Sequence, residues 1–375
     1  MKIALVHYSC APVIGGVETI LAAHARLFTA AGHQVRIIVR RGGEGDPRVV
    51  LLRAAEPLEE LRAAIADCDV VIAHNVMTMP FDMALTAALQ TVAREHAGTR
   101  RFIAWVHDLA ACSGDYPLPF HEPPWIELTR ALPGFEYIAI SEHRAKEFQA
   151  LTGRPAEVIP NGIEPAEVLG FPPAVTDFAR AHALFERDII LFQPARLLPR
   201  KNIELGLSVT AELRASGRNA AYLITAAPNP FSTPADVYPQ ALQARRSDLG
   251  LDDHVFFLSD HFAVTSTELT ALYALAHAIF LPSLHEGFGL PLLEAVLHRV
   301  PVFTSDQRPM NMLLGEMPHL FSPSATAAEV ATKIARTLDL SAPHRARREV
   351  LERYAWAKID REFLQPLLAG TISMS

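Results

Sequence analysis

Apolar positions along the chain come in two rhythms. Short runs without polar alternation, at 2–8, 35–40, 70–74, 102–107, 137–140 and 157–159, are separated by longer Ala/Leu-rich segments such as 18–31 and 142–151, where apolar residues recur at helical spacing. Strands apolar at every position are covered on both faces, so the pattern predicts a parallel sheet with helices on either side. The stretch N-G-I-E-P-A-E-V-L-G-F-P-P at 161–173 has no periodicity and is rich in Pro and Gly; it reads as an interdomain linker. The rhythm then restarts, with strands expected at 189–193, 221–226, 254–258, 278–281, 300–304 and 319–321. From about Glu349 the chain reads as a charged amphipathic helix carrying Tyr354 and Trp356. The expectation is an α/β protein of two doubly wound Rossmann-like domains facing a central cleft, with ligands at the carboxyl ends of the strands.

Composition narrows the function classes. The chain has 375 residues, half of them hydrophobic, enough for two cores. A net charge of -7 and the lack of any long Lys/Arg block argue against nucleic acid and against stable association with an anionic membrane. Cys10, Cys68 and Cys112 are far apart and odd in number, which fits reduced thiols in a cytoplasmic protein. The opening M-K-I-A-L-V-H-Y-S-C has too short an apolar run for a signal peptide and reads as a buried first strand. No run approaches the roughly 20 apolar residues of a spanning helix. The sixteen histidines form no ligand-like H-x3-H pair. A homodimer is compatible with these features.

The chemistry concentrates at His285 to Ala295, H-E-G-F-G-L-P-L-L-E-A. A strand ending near Ser283 feeds a glycine loop, and Pro291 suits the first position of a following helix because its missing N–H would have been unpaired there anyway. The amides of Phe288, Gly289 and Leu290 then stand at a helix N-terminus, where free donors and the positive dipole end favour phosphate. Gly287 and Gly289 let backbone approach such a ligand. Glu286 and Glu294 repel phosphate but accept from hydroxyls; with Glu294 in the first helical turn, ribose on one side and hexose on the other describe a nucleotide sugar.

These residues resemble the Glu-x7-Glu motif of glycosyltransferase family 4, retaining enzymes of the GT-B fold, and the resemblance extends over nearly the whole chain. G-G-V-E at 15–18 is similar to the family's N-terminal glycine loop, V-H-D at 106–108 to the place of its active-site histidine, V-I-P-N-G-I-E at 158–164 to its interdomain segment, and A-R-L-L-P-R-K-N at 195–202 to its basic pair. The resemblance implies an acceptor-binding domain at 1–164, completed by a C-terminal helix at about 353–375, and a donor-binding domain at 165–352. It implies that Arg196 and Lys201 neutralise the donor diphosphate, that Glu286 binds donor-sugar hydroxyls and Glu294 the ribose, that backbone near Leu258 meets the base, and that Gly15 and Gly16 admit the diphosphate. His107 would touch the transferred sugar, the competing reading of the residue itself being a satisfied core histidine. Tyr8, His74, Asn75 and Asp108, at strand ends, are acceptor-side candidates; Asp108 reads as a cap rather than a base, and Arg40 and Arg41 as solvated loop cations in preference to ligands of an acidic acceptor. Where the family usually has Gly, this sequence has Ala195 and Ser259. The loop at 226–239 has no counterpart role.

The implied reaction is retaining transfer of a hexose, mannose or glucose, from a nucleoside diphosphate sugar such as GDP-mannose or UDP-glucose, without metal or other cofactor. The single firm cation on the 18–31 helix, Arg26, favours a small soluble acceptor, such as a sugar, a cyclitol or a glycosylated organic acid. Alternatives are a lipid- or polysaccharide-directed transferase, a non-catalytic sugar-nucleotide binder and a sugar-nucleotide epimerase.

Overall fold

The computed structural model describes residues 1–226, 237–313, 315 and 318–371. They divide into two compact units, Met1–Gly162 with the segment from Trp356 on, and Ile163–Ala355. The expected boundaries were 164 and 353.

The first unit carries a seven-stranded parallel sheet of β1 (Lys2–Val6), β2 (Gln34–Val39), β3 (Val49–Leu51), β4 (Val70–His74), β5 (Arg101–Val106), β6 (Phe135–Ala139) and β7 (Glu157–Val158), in the order β3-β2-β1-β4-β5-β6-β7. Each face is closed by apolar packing. Ala4 and Val6 of β1 join one buried cluster, while Ile3 and Leu5 join the other. That is why the strand is apolar at every position. Four helices connect the strands: α1 (Gly16–Ala30), α2 (Leu58–Ile65), α3 (Met83–Glu95) and α4 (Glu142–Thr152). Asp82 caps α3 by accepting from the Leu85 amide at 2.9 Å, and Ser141 caps α4 from the Arg144 amide at 3.2 Å. The sequence pattern did not signal β3, a half-buried edge strand of three residues.

The second unit repeats the design with β8 (Ile189–Gln193), β9 (Ala220–Ile224), β10 (Val255–Phe257), β11 (Ala278–Leu281), β12 (Val302–Ser305) and β13 (His319–Phe321), all parallel, in the order β10-β9-β8-β11-β12-β13. Again alternate residues serve opposite faces: Ile189 and Leu191 one, Ile190 and Phe192 the other. Its helices are α5 (Pro165–Val168), α6 (Pro173–Ala181), α7 (Ile203–Ala215), α8 (Tyr238–Asp248), α9 (Ser266–Leu275), α10 (Leu290–Leu297), α11 (Ala327–Leu340) and α12 (Ala342–Tyr354). Capping boxes start α9 (Thr265 with Glu268) and α11 (Thr326 with Glu329).

Two expectations change. Much of the Pro-rich stretch at 161–173 is not open linker: Pro165 and Pro173 each begin a helix, which proline's fixed φ favours. The tail is not one helix from 349. It breaks at Ala355 and resumes as α13 (Trp356–Ile359), a π-helical turn (Asp360–Leu364) and α14 (Gln365–Leu368). Trp356 is buried in the first unit against Gly162, where any Cβ would run into the indole. Most of the 226–239 loop lies outside the described residues.

In both sheets the first strand is flanked on one side by the second strand and on the other by the fourth, so the chain reverses its winding there. Such a switch point leaves a crevice at the strands' carboxyl ends. The ends of β1 and β4, and of β8 and β11, are therefore where ligands are expected.

Candidate functional site

In the second unit, β11 runs into residues 282–289 and then α10. Gly289 caps that helix at φ 101°, a backbone conformation open to glycine, and a Cβ there would stand 2.5 Å from Met310 Sδ. This glycine thus serves the turn and the packing of Met310, whereas a Cβ on Gly287 would meet nothing within 4 Å. Among the described residues, the amides of Phe288, Gly289 and Leu290 donate to no backbone carbonyl outside the helix, and the side chains of Phe288 and Leu290 are exposed. Free donors at a helix start form an anion-binding tip.

Glu286 precedes that tip with its side chain 11% exposed. It accepts from Ser283 Oγ at 2.7 Å, pairs with the Lys201 ammonium, and lies 3.5 Å from Arg200 Nη1. Arg200 also donates to the His285 carbonyl at 3.2 Å, and the Leu284 amide donates to the Arg200 carbonyl at 2.7 Å. The loop after β8 is thus tied to the loop after β11. Lys201 ends a short 3-10 turn, Pro199–Lys201, whose carbonyl end is fixed by Gln193: its Nε2 donates to the Lys201 carbonyl at 2.9 Å, while its Oε1 accepts from the Tyr222 phenol.

The sequence singled out Lys201 and Glu286, and the structure brings them together. It leaves Arg196 exposed in the preceding loop, with no ion pair among the described residues. Arg200, the other half of an adjacent R-K pair, was passed over. Glu294 is corrected in position. Gly289 ends the loop early, α10 begins at Leu290 rather than Pro291, and Glu294 falls in the second turn. There its carboxylate accepts from the Tyr273 phenol at 2.6 Å, and Tyr273 stacks on His298 with ring centroids 5.0 Å apart. Burial and the Glu294 carboxylate together push the Tyr273 phenol up. Leu258 is fully buried, with its carbonyl taken by the amides of His261 and Phe262 at 3.0 Å; Ser259 and Asp260 beside it are exposed.

In the first unit, a cavity of about 550 Å³ opens at the ends of β1, β2, β4 and β5. Its lining includes Tyr8, Gly16, Asn75 and Asp108 of the expected set, and His7, Glu18 and Phe81 besides. Gly15 is the extended residue before α1, and a Cβ on it would collide with the Glu18 carboxylate; a Cβ on Gly16 would meet nothing. Asn75, at φ 62°, accepts from the amides of His107 and Asp108 at 2.9 Å each and donates to the Asp108 carboxylate at 3.2 Å. It therefore joins the ends of β4 and β5. Asp108 is held between Asn75 and Arg144, the latter at 3.6 Å. Arg40 is not a solvated cation: it pairs with Asp82 at 2.6 Å and donates to the carbonyls of Leu52, Ala54 and Ala55. Arg41 is exposed and lines the cavity.

A histidine ends β4 (His74) and one directly follows β1 (His7) and β5 (His107), in V-H-Y, A-H-N and V-H-D; that repetition is the sequence signal for His7. His74 is fully buried and lies outside the cavity lining, a correction to its acceptor-side placement. Its Nδ1 stands 3.1 Å from His107 Nε2. His107, 3% exposed, likewise lies outside the cavity lining, a correction to its expected place against the sugar, and its Nε2 faces His74. Burial, and then the nearby His24 and His7, push the His107 imidazole down to about 3; burial alone takes His24 to about 3. Burial and the neighbouring imidazoles hold His74 well below the usual range.

Among the described residues, no group of three or more His, Cys, Asp or Glu side chains is placed to hold a metal ion. No described helix is long and apolar enough to cross a membrane.

Comparison with known proteins bears on both units. Residues 14–167 match Glycosyltransferase Family 4, and residues 175–355 match Glycosyl transferases group 1. A GDP-mannose-dependent alpha-(1-6)-phosphatidylinositol monomannoside mannosyltransferase of Mycolicibacterium smegmatis is 26% identical over 61% of this chain, which spans 58% of that protein's length. A mannosylglucosylglycerate synthase of Thermotoga maritima is 23% identical over 83% of this chain and 84% of its own. Anabaena Alr3699/HepE, solved in complex with UDP, is 16% identical, with 98% of this chain and 100% of that chain covered at a TM-score of 0.39.

Proposed function

This chain belongs to the family 4 type of glycosyltransferases, and on that premise we propose that it transfers a hexose, mannose before glucose, from a nucleoside diphosphate sugar to a hydroxyl of a small acceptor, with retention of configuration. The observation that carries the reading is the convergence of Lys201, Arg200, Ser283 and Glu286 beside the free amides that open α10. Mannose is favoured by the mycobacterial and Thermotoga relatives, both named for mannosyl products or transfer. A small acceptor such as a glycosylated organic acid follows the Thermotoga relative, which aligns over most of both chains.

The chemistry is positioning and charge stabilisation. The amides of Phe288, Gly289 and Leu290 receive the diphosphate, and Lys201 with Arg196 offsets the charge that grows on it as the bond from the anomeric carbon breaks. Glu286 accepts from hexose hydroxyls, and Glu294, oriented by Tyr273, from the ribose diol. As the family resemblance implies, the departing phosphate takes the acceptor hydroxyl's proton while that oxygen bonds the anomeric carbon.

A second reading, transfer to a lipid-linked glycan, is favoured by the phosphatidylinositol monomannoside acceptor of the mycobacterial relative. Incubating the full chain with GDP-mannose or UDP-glucose and either glucosylglycerate or a phosphatidylinositol mannoside separates the readings by mass spectrometry. Proton NMR of the product's anomeric signal reads the configuration. Loss of donor to epimerisation, or binding without any product, contradicts the transferase reading.

A further inference from the structure

Gln193 and Tyr222 are polar side chains placed inside the second unit's core. Both are fully buried. Tyr222 stands on the face of β9 that packs with Leu191 of β8 and with Ile203 and Leu207 of α7. Gln193 Nε2 donates to the Lys201 carbonyl at 2.9 Å, and Gln193 Oε1 accepts from the Tyr222 phenol. A carbonyl only accepts, so the amide turns its NH2 group to Lys201 and its oxygen to the phenol, which donates. The bonds therefore run one way, from phenol to amide to carbonyl, and have one arrangement. A buried pair of this kind can be exchanged for apolar side chains of the same shape at little cost to stability. Stability alone does not account for it; a fixed position for Lys201 does.

Gly206 fixes the phenol from the other side. It is buried at the end of the first turn of α7, where alanine is the better helix former. A Cβ on it would run into the Tyr222 hydroxyl and ring. The helix lacks a side chain at the point where the phenol enters. α7 is also the helix that leaves the Lys201 turn: Asn202, left-handed at φ 51°, follows the 3-10 turn Pro199–Lys201, and α7 starts at Ile203. The phenol is thus held between that helix and the Gln193 amide. The amide in turn holds the backbone of the residue whose ammonium, on a side chain 13% exposed, pairs with Glu286.

We propose that Gln193 and Tyr222 are positioning residues that act through Lys201: with Gly206 making room, they set its turn so that the ammonium meets the leaving diphosphate. That a diphosphate leaves there rests on the transferase reading; the bonds that set the turn do not. The test is a double-mutant cycle on the full chain with GDP-mannose and UDP-glucose as donors. Tyr222→Phe keeps the ring and Gln193→Met keeps the length. Each is expected to lower kcat on the order of tenfold or more with donor KM nearly unchanged, because Lys201 offsets charge that grows only as the bond breaks. In a Lys201→Ala chain the same two changes are expected to lower kcat no further, since the group they act through is gone. Gly206→Ala is expected to follow Tyr222→Phe in kcat. A merely structural role would shift the urea midpoint equally in both backgrounds and leave kcat in place. Unchanged kcat in Tyr222→Phe and Gln193→Met, or equal falls with and without Lys201, overturn the inference alone. If the wild-type chain forms no product, the transferase reading fails, and the same cycle is read in calorimetry as affinity for GDP and UDP. Weakening that again depends on Lys201 then upholds the positioning role, whereas equal weakening in both backgrounds, or no binding of either nucleotide, overturns it too.

Discussion

Lys201 and Glu286, 85 residues apart in the chain, meet as an ion pair that ties the loop after β8 to the loop after β11. Both side chains are nearly enclosed, at 13% and 11% exposed, so the pair is shielded from solvent and holds the mouth of the switch point in shape. Lys201→Ala removes both a tie and a cation. Transfer is expected to fall by about 10²–10³-fold, the scale seen when one preorganised charge-stabilising donor is lost. Unfolding free energy is expected to fall by about 1–3 kcal/mol, the scale of a hydrogen bond to a charged group. Product formation and urea denaturation check the two separately. Arg200→Ala, at a side chain 47% exposed, is expected to cost under ~1 kcal/mol.

Gly289 and Gly287 separate turn geometry from ligand access. Gly289→Ala forces a side chain into φ 101° and into Met310, and is expected to destabilise the protein by more than about 1 kcal/mol and to weaken nucleotide-sugar binding. Gly287→Ala meets no protein atom and is expected to leave unfolding unchanged. Any loss of donor affinity it shows in calorimetry reports space reserved for the ligand. Equal stability losses in the two variants contradict this division.

Tyr273→Phe frees the Glu294 carboxylate. The expected stability loss is about 0.5–1.5 kcal/mol, one ordinary hydrogen bond. With Glu294 no longer oriented, KM for the donor is expected to rise with little change in kcat, as for a group that binds the nucleotide equally in ground and transition states. Steady-state kinetics at varied donor concentration decide it; a fall in kcat with KM unchanged argues against a ribose role.

Acid weakens the first unit through its buried imidazoles. His24 and His107 titrate near 3 when folded and His74 is also well depressed, against about 6.5 in an unfolded chain. Folded pKa values below the unfolded one mean that the unfolded chain binds more protons below pH 6.5, so stability is full above that pH and is lost as pH falls toward 3. Each group contributes up to about 1.4 kcal/mol per pH unit. Urea midpoints are expected to decline steadily from pH 6.5 to 4.5, before most carboxylates titrate. His24→Leu is expected to flatten that decline; an unchanged slope means His24 is not one of the groups responsible.

The parallel sheets were legible because burial on both faces writes itself as unbroken apolar runs, as in Val70–His74, Ile189–Gln193 and Ala278–Leu281. The edge strand Val49–Leu51 was not, since three half-buried residues carry no such run. Glycine and proline spacing located the α10 tip, but the turn at Gly289 shifted the helix start by one residue, and with it the turn that holds Glu294. Chain position could not reveal partners far along the sequence. Tyr273 beneath Glu294, Arg200 beside Glu286 and His74 against His107 are set by how neighbouring strand ends and helices pack. His7, just past β1, was visible in the sequence, whereas Glu18 3.8 Å from its Nε2 emerged only from the packing.

The central claim is that a diphosphate is held at the amides of Phe288, Gly289 and Leu290 with Lys201 and Arg196 beside it. Crystals of the full chain grown with GDP, and separately with UDP, test it most directly. The account predicts phosphate oxygens within hydrogen-bond distance of those amides and of Lys201, with Arg196 drawn in from its exposed loop. A nucleotide seated elsewhere on the second unit, with the α10 tip empty, would contradict it.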